Sequence, residues 1–265
     1  MTVRYELDLT HGDDPEIVAA RLWGAGALGV QELPDRLVGW FDTRVDDVPP
    51  GGEWAQEPTR DWNAEWRASV QPVRAGRVHV VPTWLDQETP EGDEEVRLVL
   101  DPGQSFGSGH HATTHLCLLE LQSELPPGAD VLDVGCGTGI LAIAAALLGA
   151  GHVEGVDLDA EAVVSTRRNA AANDVTVTAR LGGVEAATAQ ADVVLANLLT
   201  PTLHDLADEL VAAMRPGGVL IASGVAVERA EGVAAALAAA GAPLTRRRDE
   251  DGWAVLVHHL PEPPA

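Results

Sequence analysis

From residue 130 onward, short apolar runs alternate with longer stretches in which Ala, Leu and charged residues recur at helical spacing. The runs at 130–134, 152–157, 175–180, 191–196, 218–222 and 253–259 predict strands, and 136–149, 160–172, 201–213 and 227–240 predict helices. That succession implies an α/β fold: a mainly parallel sheet covered on both faces.

The chain before residue 130 reads differently. Residues 3–9 alternate as a strand, Asp13-Asp14-Pro15 opens a helix through Trp23, and two short strands follow near 27–32 and 36–42. These elements are too few to share the later core, so they form a small α+β unit ending near Val48. Pro49-Pro50-Gly51-Gly52 is the clearest linker signal. Trp54, Trp62 and Trp66 follow; Trp62 and Trp66 stand four apart on one helix face, the pattern of a packing stripe or hinge helix. The expected division is an N-terminal recognition domain over 1–52, a linker helix over 53–72 and a catalytic domain over 73–265. Strands near 77–82 and 95–100 lead into the glycine-rich stretch 101–111, and a helix from Ala112 runs to Leu125, where Pro126-Pro127-Gly128 stops it.

The densest chemistry lies between residues 131 and 157. Val131-Leu132-Asp133-Val134-Gly135-Cys136-Gly137-Thr138-Gly139 is a strand running into a glycine turn, and Asp157 ends the next strand 18 residues after Gly139. Glycines allow a tight turn and close ligand approach, and an acid at that distance accepts ribose hydroxyls. A dinucleotide fingerprint would need a third glycine where Ile140 stands, although counting from Gly137 places a tolerable Ala142 there. Asp133, placed before the first glycine, favours a cationic nucleoside: it can hold an ammonium or order water. Asp159 suits a helix cap.

Asn197 ends the fourth strand of the series, which would lie beside the first. An amide there can accept hydrogen bonds from a nucleophilic nitrogen, or it can simply cap the helix that begins near Pro201. It is followed by Leu198-Leu199-Thr200 rather than Pro-Pro-Tyr, which removes an aromatic platform and suits an aliphatic amine. His111 and His115 are four apart, but no H-E-x-x-H order accompanies them, so no metal is expected. His111 is instead a candidate proton acceptor or orienting group, and Phe106 a candidate cover over the ligand. The run Arg246-Arg247-Arg248 reads as a solvated strand end.

Composition narrows the classes. The net charge of −24 opposes binding of free nucleic acid and favours a basic macromolecular partner. All 17 basic residues are arginine, which excludes a P-loop lysine or a lysine Schiff base. Two cysteines outside any C-x-x-C pair fit a reducing, cytoplasmic setting, and no apolar run approaches a membrane span.

Taken together, D-x-G-x-G-x-G resembles motif I of the class I S-adenosyl-L-methionine (AdoMet) methyltransferases. The whole chain resembles the bacterial ribosomal protein L-11 methyltransferase family. The residues that carry this resemblance are Trp62, Trp66 and Arg67, and above all Phe106-Gly107-Ser108-Gly109-His110-His111-Ala112-Thr113-Thr114. It implies a Rossmann-like domain with a seven-stranded sheet and AdoMet as cofactor, contacted by residues matching Thr114, Gly135, Asp157 and Asn197. It further implies a monomer that trimethylates the α-amine and lysine ε-amines of ribosomal protein L-11. Ser108 and Ala112 depart from the family pattern. Other class I substrates (a different protein amine, or RNA), a nicotinamide oxidoreductase and a noncatalytic AdoMet-binding module remain alternatives.

Overall fold

The computed structural model describes residues 3–9, 15–33, 35–56, 70–87, 95–101 and 109–262. The chain divides into two compact units, 1–70 and 71–265.

In the smaller unit, β1 (Val3–Asp8), α1 (Pro15–Gly24), β2 (Gly29–Glu32), β3 (Arg36–Phe41) and β4 (Glu53–Gln56) follow one another. The strands form an antiparallel sheet in the order β2-β3-β1-β4. Tyr5, Leu7, Leu22, Leu37 and Phe41 fill its core, and the Trp54 ring packs 5.0 Å from Tyr5 and 5.1 Å from Phe41 between centroids. Here the structure departs from the expected linker. Glu53–Gln56 is an edge strand of this sheet, not the start of a helix. The preceding Pro-Pro-Gly-Gly is a turn fastened to the core: the Tyr5 hydroxyl donates to the Pro49 carbonyl and accepts from the Gly52 amide at 2.8 Å. Pro and Gly mark a turn equally well inside a unit or between two, and only the buried hydroxyl separates the cases. Trp62, Trp66 and Arg67 lie outside the described residues.

The larger unit opens with β5 (Val73–Ala75), β6 (Val78–Pro82) and β7 (Val96–Leu100), a three-stranded sheet in that order. The main body comprises α2 (Ala112–Glu124), β8 (Asp130–Val134), α3 (Ile140–Leu147), β9 (His152–Asp157), α4 (Ala160–Ala172), β10 (Thr178–Leu181) and β11 (Ala191–Asn197). It continues through α5 (Thr200–Asp205), α6 (Ala207–Ala212), β12 (Met214–Ala226), α7 (Ala230–Ala239), β13 (Leu244–Glu250) and β14 (Trp253–His259). The seven strands run in the order β10-β9-β8-β11-β12-β14-β13; the first five are parallel and the β12-β14-β13 pairings antiparallel. Alternate residues enter opposite cores, Val131, Val193 and Leu195 on one face, Leu132, Val194 and Ala196 on the other. This is the expected α/β sheet. No helix among the described residues is long and apolar enough to cross a membrane.

Several boundaries move: the helix expected over 136–149 spans Ile140–Leu147, and the strand expected over 175–180 begins at Thr178. The helix expected over 201–213 breaks at Leu206, β12 begins four residues earlier than expected, and β13 is a complete edge strand where only a strand end was expected. β13 carries Thr, three Arg, Asp and Glu, so it has no hydrophobic alternation to announce it. It is held by its ladder to β14 and by ion pairs of Arg246 and Arg248 with the buried Glu120 of α2.

Candidate active site

The strand order reverses at β8, which pairs with β9 on one side and β11 on the other. Carboxyl ends of strands at such a reversal leave a crevice. The glycine turn after β8, the acid ending β9 and the amide ending β11 all converge there.

Gly135, Gly137 and Gly139 have φ of 72°, 55° and 83°, a left-handed backbone that disfavours any side chain. The turn is fastened from several sides. The amides of Gly135 and Cys136 donate to the Val156 carbonyl at 2.8 and 3.1 Å, and the Gly139 amide donates to the Cys136 carbonyl at 2.7 Å. The Gly137 amide donates to Asp157 Oδ2 at 2.9 Å, tying turn and acid together. Asp157 Oδ1 accepts from the Asp159 amide at 2.9 Å, and Asp159 caps α4 through the Glu161 amide as expected. A carboxylate has roughly four acceptor sites. Two are occupied by main-chain donors, and the half-buried Asp157 retains capacity for a pair of hydroxyls.

Asp133 is fully buried, and its Oδ2 accepts from the Ala142 amide at 3.1 Å. Burial, with the Asp157 charge adding to it, pushes its carboxyl up to about 7. Burial also raises both thiols, Cys136 to about 12 and Cys117 further, so neither is a nucleophile near neutrality.

Asn197 stands at the tip of β11 with Nδ2 donating to the hydroxyl of the buried Thr114 at 3.3 Å. It does not cap α5, whose N-cap is Leu199 without a side-chain bond. The structure therefore joins two candidates from strands and helices 83 residues apart. His111 is the N-cap of α2, its Nδ1 2.8 Å from the Thr113 hydroxyl and accepting from the Thr113 amide at 3.4 Å. With Nδ1 accepting at the cap, the neutral ring carries its proton on Nε2. The ring meets Trp253 edge-on at 4.9 Å, and His115 pairs with Glu250 at 3.0 Å. Phe106 lies outside the described residues.

Sequence reasoning misses Trp253 and Thr166, and it reads Leu198 only as the lack of an aromatic platform, not as a packing partner of the glycine turn. Thr166 of α4 donates to the Gly137 carbonyl at 3.0 Å, and the Leu198 side chain fills the space where a Cβ on Gly135 would project. No local pattern marks them, because each acts on a residue distant in sequence.

A parallel sheet with this strand order, a glycine turn after its first strand and an acid ending the second define a class I methyltransferase domain. A sequence model of the family described as Ribosomal protein L11 methyltransferase (PrmA) matches residues 45–260, and the chain belongs to that family. It is similar to the ribosomal protein L11 methyltransferase of Symbiobacterium thermophilum, 36% identical over 263 residues, covering 96% of this chain and 84% of the relative. The corresponding protein of Deinococcus radiodurans is 42% identical over 216 residues, covering 77% and 78%. Among solved structures, the ribosomal protein L11 methylase of Lactobacillus delbrueckii subsp. bulgaricus superposes with a TM-score of 0.68 at 28% identity, covering 73% of this chain and all of that one.

Proposed function

We propose that this methyltransferase uses AdoMet to methylate, up to the trimethyl state, lysine ε-amines and the α-amine of ribosomal protein L11 in the cytoplasm. The observation that carries this reading is the Asn197–Thr114 contact at the crevice, beside a glycine turn and an acid suited to a ribose. Family membership supports the methyl donor and the protein substrate. The acidic body, at −24, suits a basic ribosomal protein and disfavours free RNA.

Asp157 would hold the ribose hydroxyls, Gly135, Gly137 and Gly139 would let the ligand approach the backbone, and Thr114 and Asn197 would lie at its reactive end. AdoMet supplies a methyl already activated on a sulfonium, so the protein's task is alignment and proton removal. An ordinary lysine near pKa 10.4 is charged at pH 7, and presenting it neutral costs about 4–5 kcal/mol. Desolvation in the crevice lowers that cost. Because Asn197 spends its Nδ2 on Thr114, its Oδ1 is the atom turned to the amine, where it accepts an N–H and aims the lone pair. His111, with Nδ1 accepting at the cap and the ring proton on Nε2, would order the water that carries released protons away. Asp133 orders the first turn of α3, with a carboxyl poised to ionise beside a cationic ligand.

The test is methyl transfer from labelled AdoMet to purified ribosomal protein L11, unfractionated ribosomal protein and ribosomal RNA, with the sites mapped by mass spectrometry. Label confined to amines of L11 is the expected result. Label on RNA, or on a different protein alone, would overturn the substrate assignment while leaving the cofactor intact.

A further inference from the structure

Asn169 on α4 and Asn173, the C-cap of that helix, stand four apart and turn to the same strand. Each uses its side-chain amide as a substitute peptide, since a primary amide presents a donor and an acceptor side by side. Asn173 accepts from the Val99 amide at 2.7 Å and donates to the Val99 carbonyl at 2.6 Å. Asn169 does the same two residues on, accepting from the Asp101 amide and donating to the Asp101 carbonyl, both at 3.1 Å. Alternate residues of a strand direct their amides and carbonyls to one edge. The two side chains therefore complete the edge of β7 that β6 does not use, and its continuation at Asp101.

The pair is not symmetric. The remaining Nδ2 hydrogen of Asn173 goes to the Asn169 carbonyl at 2.7 Å, back into the last turn of α4. That of Asn169, a residue only 1% exposed, goes to the Thr138 carbonyl at 2.9 Å, in the middle of the glycine turn. The Thr138–Gly139 peptide is thus held at both sides, its carbonyl by Asn169 and its amide by the Cys136 carbonyl at 2.7 Å. One turn earlier on α4, Thr166 holds the Gly137 carbonyl.

We propose that Asn169 is a positioning residue for the cofactor site, locking the Thr138–Gly139 peptide and coupling it to the strand end at Asp101, whereas Asn173 only fastens the strand. The inference rests on the AdoMet reading of the glycine turn. It makes affinity for AdoMet depend on a buried amide that acts through the main chain of the glycine turn.

The experiment compares Asn169→Ala with Asn173→Ala in the full chain, a matched pair because each removes one bidentate grip on the same segment. Both should lower the melting temperature. Asn169→Ala alone should weaken AdoMet binding by calorimetry about tenfold, the equivalent of one buried hydrogen bond, and raise the KM for AdoMet likewise with little change in kcat. Without cofactor, amide exchange at Thr138 and Gly139 should quicken only in Asn169→Ala. If that variant does not fold, Asn169→Asp serves: its carboxylate faces two carbonyls, and affinity should recover in part as the pH is lowered and the single O–H of the acid donates to one of them. Binding by Asn169→Ala, or by Asn169→Asp at all pH values, within about twofold of wild type overturns the proposal, as does equal weakening by Asn173→Ala. A wild-type protein that binds no AdoMet would instead sink the cofactor reading itself.

Discussion

The side-chain amide of Asn197 donates to the Thr114 hydroxyl across 3.3 Å, and this contact orients the amide. With Nδ2 engaged, Oδ1 would be the acceptor for an incoming amine under the proposed function. Asn197→Ala removes that acceptor and should lower kcat about a hundredfold, the scale of losing one preorganised transition-state hydrogen bond. Thr114→Val preserves shape in a fully buried position but releases the amide to rotate, and should cost about tenfold. Because both changes act on one group, the double variant should be no slower than Asn197→Ala. Steady-state rates on the protein substrate at saturating cofactor measure this; losses that multiply would show that the contact does not orient the amide.

Asp133 gives the fold a pH dependence of defined sign. Burial raises its carboxyl from 3.8 to about 7, so the folded chain binds the proton more tightly than the unfolded chain between those values. The stability present below pH 3.8 is therefore lost as pH climbs through about 7 and levels off above it. The full contribution is about 4 kcal/mol at most. Asn at this position keeps an oxygen for the Ala142 amide and has no charge to desolvate. Asp133→Asn should flatten the fall in urea-unfolding stability between pH 4 and 7, and parallel profiles for the two proteins would refute the assignment.

The buried Glu120 of α2 explains why an arginine-rich segment forms an edge strand. Arg246 approaches Glu120 Oε2 with Nε at 2.8 Å and Nη2 at 2.6 Å, and also reaches Glu124. Arg248 Nε is 3.1 Å from Oε1, close as an ion pair but not aligned as a hydrogen bond. Removing a hydrogen-bonded partner strands a buried charge, so Arg246→Ala should cost about 2–3 kcal/mol. Arg248→Ala removes only a half-exposed cation and should cost under about 1 kcal/mol. Urea melts of the two variants decide it, and equal losses would count against the geometry.

What could be read from the amino-acid order was local. The glycine turn, Asp157, Asp159 as a cap and the succession of strands and helices from 130 onward each announce themselves within a few residues, because turn chemistry and hydrophobic period are short-range signals. The rest depends on partners far along the chain. β13 has a polar sequence, and its strand character comes from β14 and Glu120. Pro49–Gly52 has the composition of a boundary, and only the Tyr5 hydroxyl, 44 residues before Pro49, makes it a turn within the unit. Asn169 and Asn173 look like ordinary polar helix positions, and their role requires the edge of β7 and the glycine turn to be in place.

Leu198 lies between two glycines, and they fail differently when substituted. A Cβ on Gly135 would meet the tip of the Leu198 side chain, whereas a Cβ on Gly224 would run into the Leu198 carbonyl oxygen, carbonyl carbon and amide. Both glycines have positive φ, 72° and 87°, so alanine costs about 1–2 kcal/mol of backbone strain at either. Beyond that shared cost the remedies differ. Shortening Leu198 to Ala vacates the space beside Gly135 but leaves its own backbone against Gly224. Leu198→Ala should therefore restore a substantial part of the AdoMet affinity and melting temperature lost by Gly135→Ala, and none of that lost by Gly224→Ala. Because Leu198 follows Asn197 directly, displacement of its backbone by Gly224→Ala should also depress kcat at saturating cofactor, while Gly135→Ala should act chiefly on cofactor affinity. Calorimetry and thermal melts of the four variants test this, and equal rescue in both backgrounds would mean that the clash at Gly224 is relieved without moving the Leu198 backbone.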